Sequence, residues 1–253
     1  MNKIINLYKP LSLTPLEAID KFRLQNTEYK DIKMGYAGRL DPMAQGVLVV
    51  LCSDLSSKQV EYSNLDKEYV ADIIFGFETD TFDMLGVASN YTQKKVLKLK
   101  IEESLKSFKG DFSFKLPQYS SYIIKGKPLY WWARNKKMSE VNIPTKKVKL
   151  YDIKLESMHQ INLKDFQDNI NTRINSVNGD FRQDDIIKKW NKVFTGLDEQ
   201  VFQYAKIRIK CSSGTYVRSI AHMLGKQLNT SACLFNLTRT KVGKYDIKDS
   251  IKI

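Results

Sequence analysis

The sequence has few of the residues that build disulfide-rich or metal-dependent proteins. Among its 253 residues are 3 cysteines and 2 histidines. Cys52, Cys211 and Cys233 are odd in number and widely spaced, which predicts reduced thiols in a cytosol-like compartment. His159 and His222 are too far apart in the chain to predict a metal site. We therefore expect a cytoplasmic protein without a bound metal.

Long apolar runs are also missing. No window approaches the roughly twenty apolar residues that span a bilayer. Residues 1–15 lack an apolar core followed by a small-residue cleavage site, so they predict the start of the fold and no secretory signal. The 6 prolines and 12 glycines form no linker. We therefore expect a single domain over residues 1–253.

Acidic residues are in deficit. The chain holds 28 Asp and Glu against 41 Lys and Arg, a net charge of +13. Residues 201–253 carry ten basic and two acidic residues, and residues 68–155 carry sixteen and ten. Residues 156–200 have a net charge of −2. Concentrated positive charge favours a polyanionic partner such as nucleic acid, although a charge that only aids solubility would give the same total.

Short alternating or apolar segments dominate the pattern and predict strands. They are residues 47–51, 69–75, 148–155 and 205–211, with a final strand or hairpin arm at 237–247. Apolar spacing from Thr215 onward predicts a helix, and Leu105 and Phe108 indicate another that ends near Gly110. Residues 160–200 show two helical spacings, which predict a two-helix insertion. The fold class is α/β or α+β, with a large mixed, mostly antiparallel sheet flanked by helices.

The densest motif is GYAGRLDPMAQGVL at residues 35–48. Its glycines permit tight turns, and Pro42 disfavours a helix at Asp41. A lone carboxylate thus lies on a rigid loop that leads into a buried strand. Between the apolar Leu40 and Met43, Asp41 would be partly desolvated and would need a charged partner. An aspartate that only caps a turn is the alternative interpretation.

This segment resembles the catalytic motif of the TruB family of pseudouridine synthases, which has a histidine at the position of Tyr36. Six further segments resemble other blocks of that family in the same order: residues 8–15, 67–86, 117–120, 126–134, 211–218 and 237–243. One block alone would be unspecific, whereas the ordered set is specific. The resemblance implies a pseudouridine synthase fold. It also implies isomerisation of the T-loop uridine of tRNA, which needs no cofactor.

The resemblance assigns roles to individual residues. Asp41 would attack the sugar or remove one of its protons, and both roles stay open. Arg218, at a helix start, would pair with Asp41 and keep it ionised. Tyr69 would stack on the flipped uracil and is a candidate acceptor of the C5 proton. The residues expected to contact substrate are Lys9, Tyr36, Gly38, Arg39 and Leu237.

Three features depart from the family pattern. Tyr36 can stack and donate a hydrogen bond but cannot carry a histidine's positive charge. The sequence ends shortly after Ile247, so we expect the C-terminal PUA domain of many relatives to be absent. The negative charge of the predicted two-helix insertion argues against a primary phosphate-binding surface there. The expected partner is the T-arm stem-loop of tRNA, bound by a monomer without membrane attachment or an obligatory protein partner.

Other functions fit parts of the pattern. A catalytic subunit guided by a separate RNA shares the fold, but such relatives carry extra terminal regions. A non-catalytic RNA-binding or tRNA-folding protein would not need Asp41, Tyr69 and Arg218 together. A glycosidase would need a second positioned carboxylate. Asp80 and Asp83 suggest a cation site, but we interpret them as turn and hydrogen-bond formers near the active cleft.

Overall fold

The computed structural model describes residues 2–198 and 200–253, which form a mixed sheet flanked by helices. The strands are β1 (Ile4–Lys9), β2 (Met34–Ala37), β3 (Ala44–Cys52), β4 (Lys67–Phe75), β5 (Phe77–Thr79), β6 (Ala88–Tyr91), β7 (Gly110–Lys115), β8 (Ile123–Ile124), β9 (Lys127–Pro128), β10 (Thr145–Asn162), β11 (Val201–Cys211), β12 (Ala232–Val242) and β13 (Tyr245–Asp246). The α-helices are α1 (Pro15–Gln25), α2 (Gln59–Ser63), α3 (Lys98–Phe108), α4 (Leu129–Arg134), α5 (Leu163–Asn175), α6 (Gln183–Phe194) and α7 (Val217–Gln227). Across the described part of the chain, no helix has the length and apolar character needed to cross a membrane.

The order of strands brings distant segments together at the centre of the sheet. Along the main path the order is β1-β3-β12-β4-β11-β10-β7, with β2 also paired to β3 and β13 to β12. Neighbours are antiparallel, except that β12 runs parallel to β3. Leu237 lies opposite Ala44, and Arg239 lies opposite Tyr69. The loop before β3 therefore lies beside β12, and β4 follows immediately.

Close packing between β3 and β12 explains one glycine. Gly46 has φ of +109°, and a Cβ there would lie 2.2 Å from the backbone oxygen of Arg239. No side chain fits at that distance, so Gly46 is required where the two strands meet. After it, Val47–Cys52 is completely buried, as expected for a central strand.

Most predicted elements are confirmed. The four predicted strands fall within β3, β4, β10 and β11, and the predicted helices are α3 and α7. The predicted bounds 237–247 are wrong, because β12 already begins at Ala232 and a turn then leads to β13. Residues 232–235 are all buried. A continuous apolar run has no period-2 alternation, so its start could not be recognised from the pattern.

Helices α5 and α6 occupy the segment with two helical spacings. Their apolar faces close over an aromatic cluster in which Phe77 lies 5.2 Å from Phe166 and 5.5 Å from Trp190, measured between ring centroids. Trp190 and Phe166 are completely buried. We call residues 176–182 the α5–α6 loop. Since both helices are anchored in the core, the position of this loop is determined at both ends.

Candidate active site

A cleft of about 870 Å³ opens where β4, β12, α7 and the loop before β3 converge. Seven of the eight residues assigned from the sequence line it: Asp41, Tyr69, Arg218, Tyr36, Gly38, Arg39 and Leu237. Lys9 is the eighth and is completely buried. The fold thus gathers residues from the start, middle and end of the chain around one cavity.

Asp41 occupies the first position of a tight turn. The backbone N–H of Ala44 donates to the Asp41 carbonyl at 3.0 Å, and Pro42 takes the second position, where its fixed φ suits a β-turn. Neighbouring Leu40 and Met43 are 3% and 5% exposed, whereas the side chain of Asp41 is 36% exposed. The turn therefore directs one carboxylate out of an apolar surface and into the cleft.

Arg218 forms an ion pair with Asp41. Its Nε lies 3.0 Å from Oδ2 of Asp41, which confirms the predicted pair. The two terminal nitrogens donate to backbone carbonyls, to Thr81 at 2.8 Å and to Tyr119 at 3.2 Å. The pair is consequently not a two-pronged fork, because the guanidinium divides its donors among three segments. Burial by itself would lower the pKa of Arg218. The negative charges of Asp41 and Asp83 have the larger combined effect, so the pKa of Arg218 is raised.

Asp83 is a second carboxylate beside Arg218 and is 5% exposed. Its Oδ2 lies 3.6 Å from Nε of Arg218. Its Oδ1 accepts from the Thr81 hydroxyl at 2.6 Å and from the Leu85 N–H at 3.1 Å. Burial, aided by the charge of Asp41, raises the pKa of Asp83 to about 6. The hydrogen-bonding role predicted for Asp83 is present, and the ion pair with Arg218 adds to it.

This raised pKa gives a test of stability against pH. The ordinary value is 3.8 and the folded value about 6, so the folded state binds more protons in that window. The contribution of Asp83 is therefore present below the ordinary pKa and is lost as pH rises through about 6. Urea titrations should measure the free energy of unfolding of the wild-type protein and of Asp83→Asn. The wild-type value, compared with that of the variant, should fall between about pH 4 and about pH 7. A constant difference between the two proteins would contradict the raised pKa.

Tyr69 and Arg239 form the floor of the cleft. Tyr69 is 7% exposed, and burial raises the pKa of its hydroxyl to about 12. Arg239 is 1% exposed and donates to the carbonyls of Val47 at 2.7 Å, Gly38 at 3.0 Å and Arg39 at 3.2 Å. Tyr69 thus presents a neutral phenol, and Arg239 determines the path of the loop that leads to Asp41.

The position of Lys9 differs from the sequence prediction. Its ammonium donates to the carbonyls of Pro10 at 2.9 Å and Leu13 at 2.6 Å. The side chain has no exposed surface and does not line the cleft. Burial lowers the pKa of Lys9 to about 7, while Asp41 acts in the opposite direction. Lys9 is therefore a buried amine close to the Asp41 loop, and burial favours its neutral form.

Tyr36, Arg39 and Leu237 provide different surfaces. Arg39 is exposed, and its guanidinium lies 3.4 Å from the hydroxyl of Tyr36. Leu237 is 8% exposed and adds an apolar patch to the wall. The backbone N–H of Gly38 donates to the Ser63 hydroxyl at 3.0 Å. The cleft therefore combines an exposed cation, an aromatic ring and an apolar wall close to Asp41.

The basic face of β11 carries less free charge than its sequence indicates. Lys206, Arg208 and Lys210 do alternate with apolar residues, but each faces an acid on a neighbouring strand. The pairs are Lys206–Asp72 at 3.0 Å, Arg208–Glu156 at 2.6 Å and Lys210–Glu68 at 3.6 Å. Cross-strand pairing of this kind cannot be read from a single strand, and it reduces the attraction for phosphates.

Residues 2–198 and 200–253 contain no cluster of side chains suited to bind a metal ion. No group of three or more His, Cys, Asp or Glu side chains there is arranged to hold an ion. His222 stacks on Phe82 with 3.9 Å between ring centroids. Burial lowers the pKa of His222 to about 4, so the imidazole is neutral near pH 7 and its 3.5 Å contact with Glu78 is not an ion pair.

Sequence reasoning missed two contributors to the site. Arg239 and Lys67 both lie in segments that resemble family blocks, but the sequence analysis assigned neither residue a role. Lys67 is 5% exposed and donates to the carbonyls of Ser63 and Leu65. Arg239 lies two residues after Leu237 and so on the same face of the strand. A basic residue on such an apolar face is the signal that could have found Arg239, since it is buried only when its donors are satisfied.

Comparison with known proteins adds independent findings. Residues 24–181 match the model of the family described as TruB family pseudouridylate synthase (N terminal domain). A protein of Clostridium tetani named tRNA pseudouridine synthase B is 31% identical over all of this chain and 72% of its own length. The protein of that name from Malacoplasma penetrans is 30% identical, over 97% of this chain and 87% of its own length.

Solved structures show a similar fold at lower identity. The crystal structure of a Cbf5-Nop10-Gar1 complex matches 99% of this chain with a TM-score of 0.59 and 20% identity. A structure of an H/ACA RNP bound to a substrate RNA containing 2'-deoxyuridine matches 98% with a TM-score of 0.57 and 19% identity. This chain spans 52% and 50% of those two chains. The likeness supports the mixed, mostly antiparallel fold.

Proposed function

Because this chain belongs to the TruB family of pseudouridylate synthases, we propose that it converts a uridine of tRNA to pseudouridine. The T-loop uridine is the proposed target, and Asp41 is the proposed reacting carboxylate. The single observation that carries the proposal is the Asp41–Arg218 pair at 3.0 Å, located in the cleft with Tyr69. The relatives' names concern tRNA, and the chain matches them over almost its full length.

The proposed reaction is an isomerisation and consumes no second substrate. The bond from N1 of uracil to C1' of ribose breaks, the base turns, and C5 forms the new bond to C1'. C5 loses its proton and N1 ends with one, so atoms and charges balance. Asp41 assists by attack on the sugar or by removal of a sugar proton. Since the bond is inaccessible in a stacked base, the uridine must leave the T-loop stack.

The cleft residues support defined roles in this reaction. Arg218 keeps the Asp41 carboxylate aimed at the sugar, and its own position is held by two carbonyls. The ring of Tyr69 offers a stacking face for the displaced uracil. As a neutral phenol with a pKa of about 12, Tyr69 would have to pass on its own proton before accepting one from C5. Leu237 supplies the apolar wall behind the base.

The test is direct detection of the product. Purified protein is incubated with an unmodified tRNA transcript, which is then treated with carbodiimide and copied by reverse transcriptase. We expect one new stop at the T-loop uridine and no change in RNA mass, because the product is an isomer. A stop elsewhere would refute the proposed position, and the absence of any stop would refute the proposed activity.

RNA binding should depend on cations that are free of protein acids. Arg39→Ala should weaken RNA binding and flatten the plot of log affinity against log salt by roughly one unit, the effect of one lost phosphate contact. Lys206→Ala is the matched control, because Asp72 already neutralises Lys206. Filter binding across a salt series measures both variants. An equal loss in the two would mean that β11 contributes to the RNA surface.

A cytoplasmic location and a monomeric state remain predictions from the sequence. An RNA-guided catalytic subunit remains an alternative. Its support is the similarity to solved structures at 20% and 19% identity, which is evidence for the fold and not for the function. Activity of the purified chain on a bare tRNA transcript distinguishes the two, since a guided subunit would need its guide RNA.

A further inference from the structure

The α5–α6 loop reaches the wall of the cleft. Asp180, Phe181 and Arg182 line the cavity that contains Asp41. Arg134 of α4 donates to the Asp180 carboxylate and, at 3.1 Å, to its backbone carbonyl. The segment between two core-anchored helices is therefore part of the site and not a peripheral connection.

Arg182 makes the most specific contacts of this loop. Its two terminal nitrogens donate to the Asp80 carboxylate at 2.7 and 3.3 Å, a two-pronged ion pair. Its guanidinium carbon lies 4.2 Å from the ring centroid of Tyr119, a cation–π distance. Both side chains of the ion pair are mostly shielded, 21% exposed for Arg182 and 25% for Asp80. Arg182 also has φ of +66°, which a non-glycine residue rarely adopts.

These partners adjoin the groups that hold Arg218. Arg218 donates to the carbonyl of Thr81, the residue after Asp80, and to the carbonyl of Tyr119 itself. Arg182 therefore contacts side chains of the same two segments whose backbone carbonyls accept from Arg218. Release of Arg182 would leave these two acceptors of Arg218 free to shift, and the direction of its Nε toward Asp41 would shift with them.

The loop also touches the other side of the Asp41 turn. The hydroxyls of Ser176 and Ser12 are hydrogen bonded, and Asn178 donates to Glu17 at 3.0 Å. The backbone N–H of Ser12 in turn donates to the carbonyl of Pro42 at 2.8 Å. The loop is thus connected to both partners of the Asp41–Arg218 pair through independent contacts.

We infer that Arg182 is a positioning residue that orients Arg218 toward Asp41 through Asp80 and Tyr119. The inference rests on the proposed function, since its effect is on the rate of pseudouridine formation. It gives the segment at 160–200 a role in catalysis that does not require phosphate binding, which agrees with the net charge of −2 over residues 156–200.

The experiment measures rate and affinity separately. Arg182→Ala should lower the single-turnover rate at saturating protein by about tenfold to a hundredfold, the range for small misplacements of catalytic groups. The dissociation constant for tRNA should stay within about twofold, because orientation and not binding is lost. Lys188→Ala is the matched control: it removes one exposed positive charge from helix α6, which directly follows Arg182, and should change neither quantity.

A second variant and a second readout guard against unfolding. Arg182→Lys keeps the charge opposite Asp80 but loses the planar fork and its contact with Tyr119, so it should show an intermediate rate loss. Hydrogen exchange at Nε of Arg218, followed by NMR, should be slow in the wild-type protein and faster in both variants. This readout requires no activity and reports on Arg218 itself.

Each outcome decides the inference. Slower turnover with unchanged affinity and faster exchange at Arg218 would support it. Wild-type turnover in both Arg182 variants, or weakened RNA binding at an unchanged rate, would overturn it in favour of a structural or an RNA-contact role. If the wild-type protein itself forms no pseudouridine, the proposed function fails first, which is distinguishable because the wild-type reaction is the reference.

Discussion

Asp41→Asn should abolish pseudouridine formation while leaving the fold intact. Asparagine is almost isosteric, and the turn is held by the Asp41 carbonyl, which the substitution keeps. The variant loses the charge that attack on the sugar or removal of a sugar proton requires. We expect a rate below about one per cent of wild type, equivalent to roughly 2.7 kcal/mol of barrier. Single-turnover kinetics on the tRNA transcript gives the rate.

The control for this prediction is Asp111→Asn, an exposed aspartate on β7. It loses the same charge without touching the cleft and should retain full activity. Circular dichroism and RNA affinity should match wild type for both variants. Activity of Asp41→Asn above one per cent (a rough threshold) would remove Asp41 from the reaction.

Arg218→Lys should be severely slowed and also destabilised. A lysine ammonium keeps the charge, but it cannot reach Asp41 and the carbonyls of Thr81 and Tyr119 in the directions that the guanidinium serves. At least one buried carbonyl would lose its donor, at a cost of about 1–3 kcal/mol. We expect a rate loss of about a hundredfold or more, because Asp41 loses its orientation. Single-turnover kinetics and urea unfolding measure the two effects.

Arg208→Lys is the matched comparison for Arg218→Lys. Arg208 pairs with Glu156 near the surface, with 42% of its side chain exposed, so the same exchange should cost little. Comparable turnover in the two lysine variants would show that the planar geometry of Arg218 is unimportant for the reaction.

The Asp41 loop and Arg218 were predictable because each lies in a compact, recognisable segment. Pro42 and the glycines define a turn locally, and Arg218 follows a turn at a helix start. Their pairing was predicted through the family resemblance and not through spacing. A structure was needed to show that Arg218 divides its donors among three segments, since Thr81 and Tyr119 lie far from it in the chain.

The remaining contacts of the site could not be predicted, because they join positions that no local pattern links. Arg182 and Asp80 are 102 residues apart. The two helices around Arg182 were predicted from their apolar spacing, but not where their loop would lie. Lys9 is the opposite case: its segment was recognised from the sequence, but the sequence did not indicate that its side chain is completely buried. The free positive charge of β11 could not be judged from its own sequence, because the acids that pair with its basic residues lie on neighbouring strands.

The position of β12 has a consequence for the order in which the protein folds. β12 is inserted between β3 and β4, although it follows both by well over a hundred residues in the sequence. While the chain is being synthesised, one side of β4 and the start of β3 remain without this neighbour until residues 232–242 emerge from the ribosome. Strands that are so far apart in the sequence pair more slowly than local structure forms. Leu237 and Arg239 arrive on the same strand, so the centre of the sheet and the part of the cleft that these two residues line are completed together, late in synthesis.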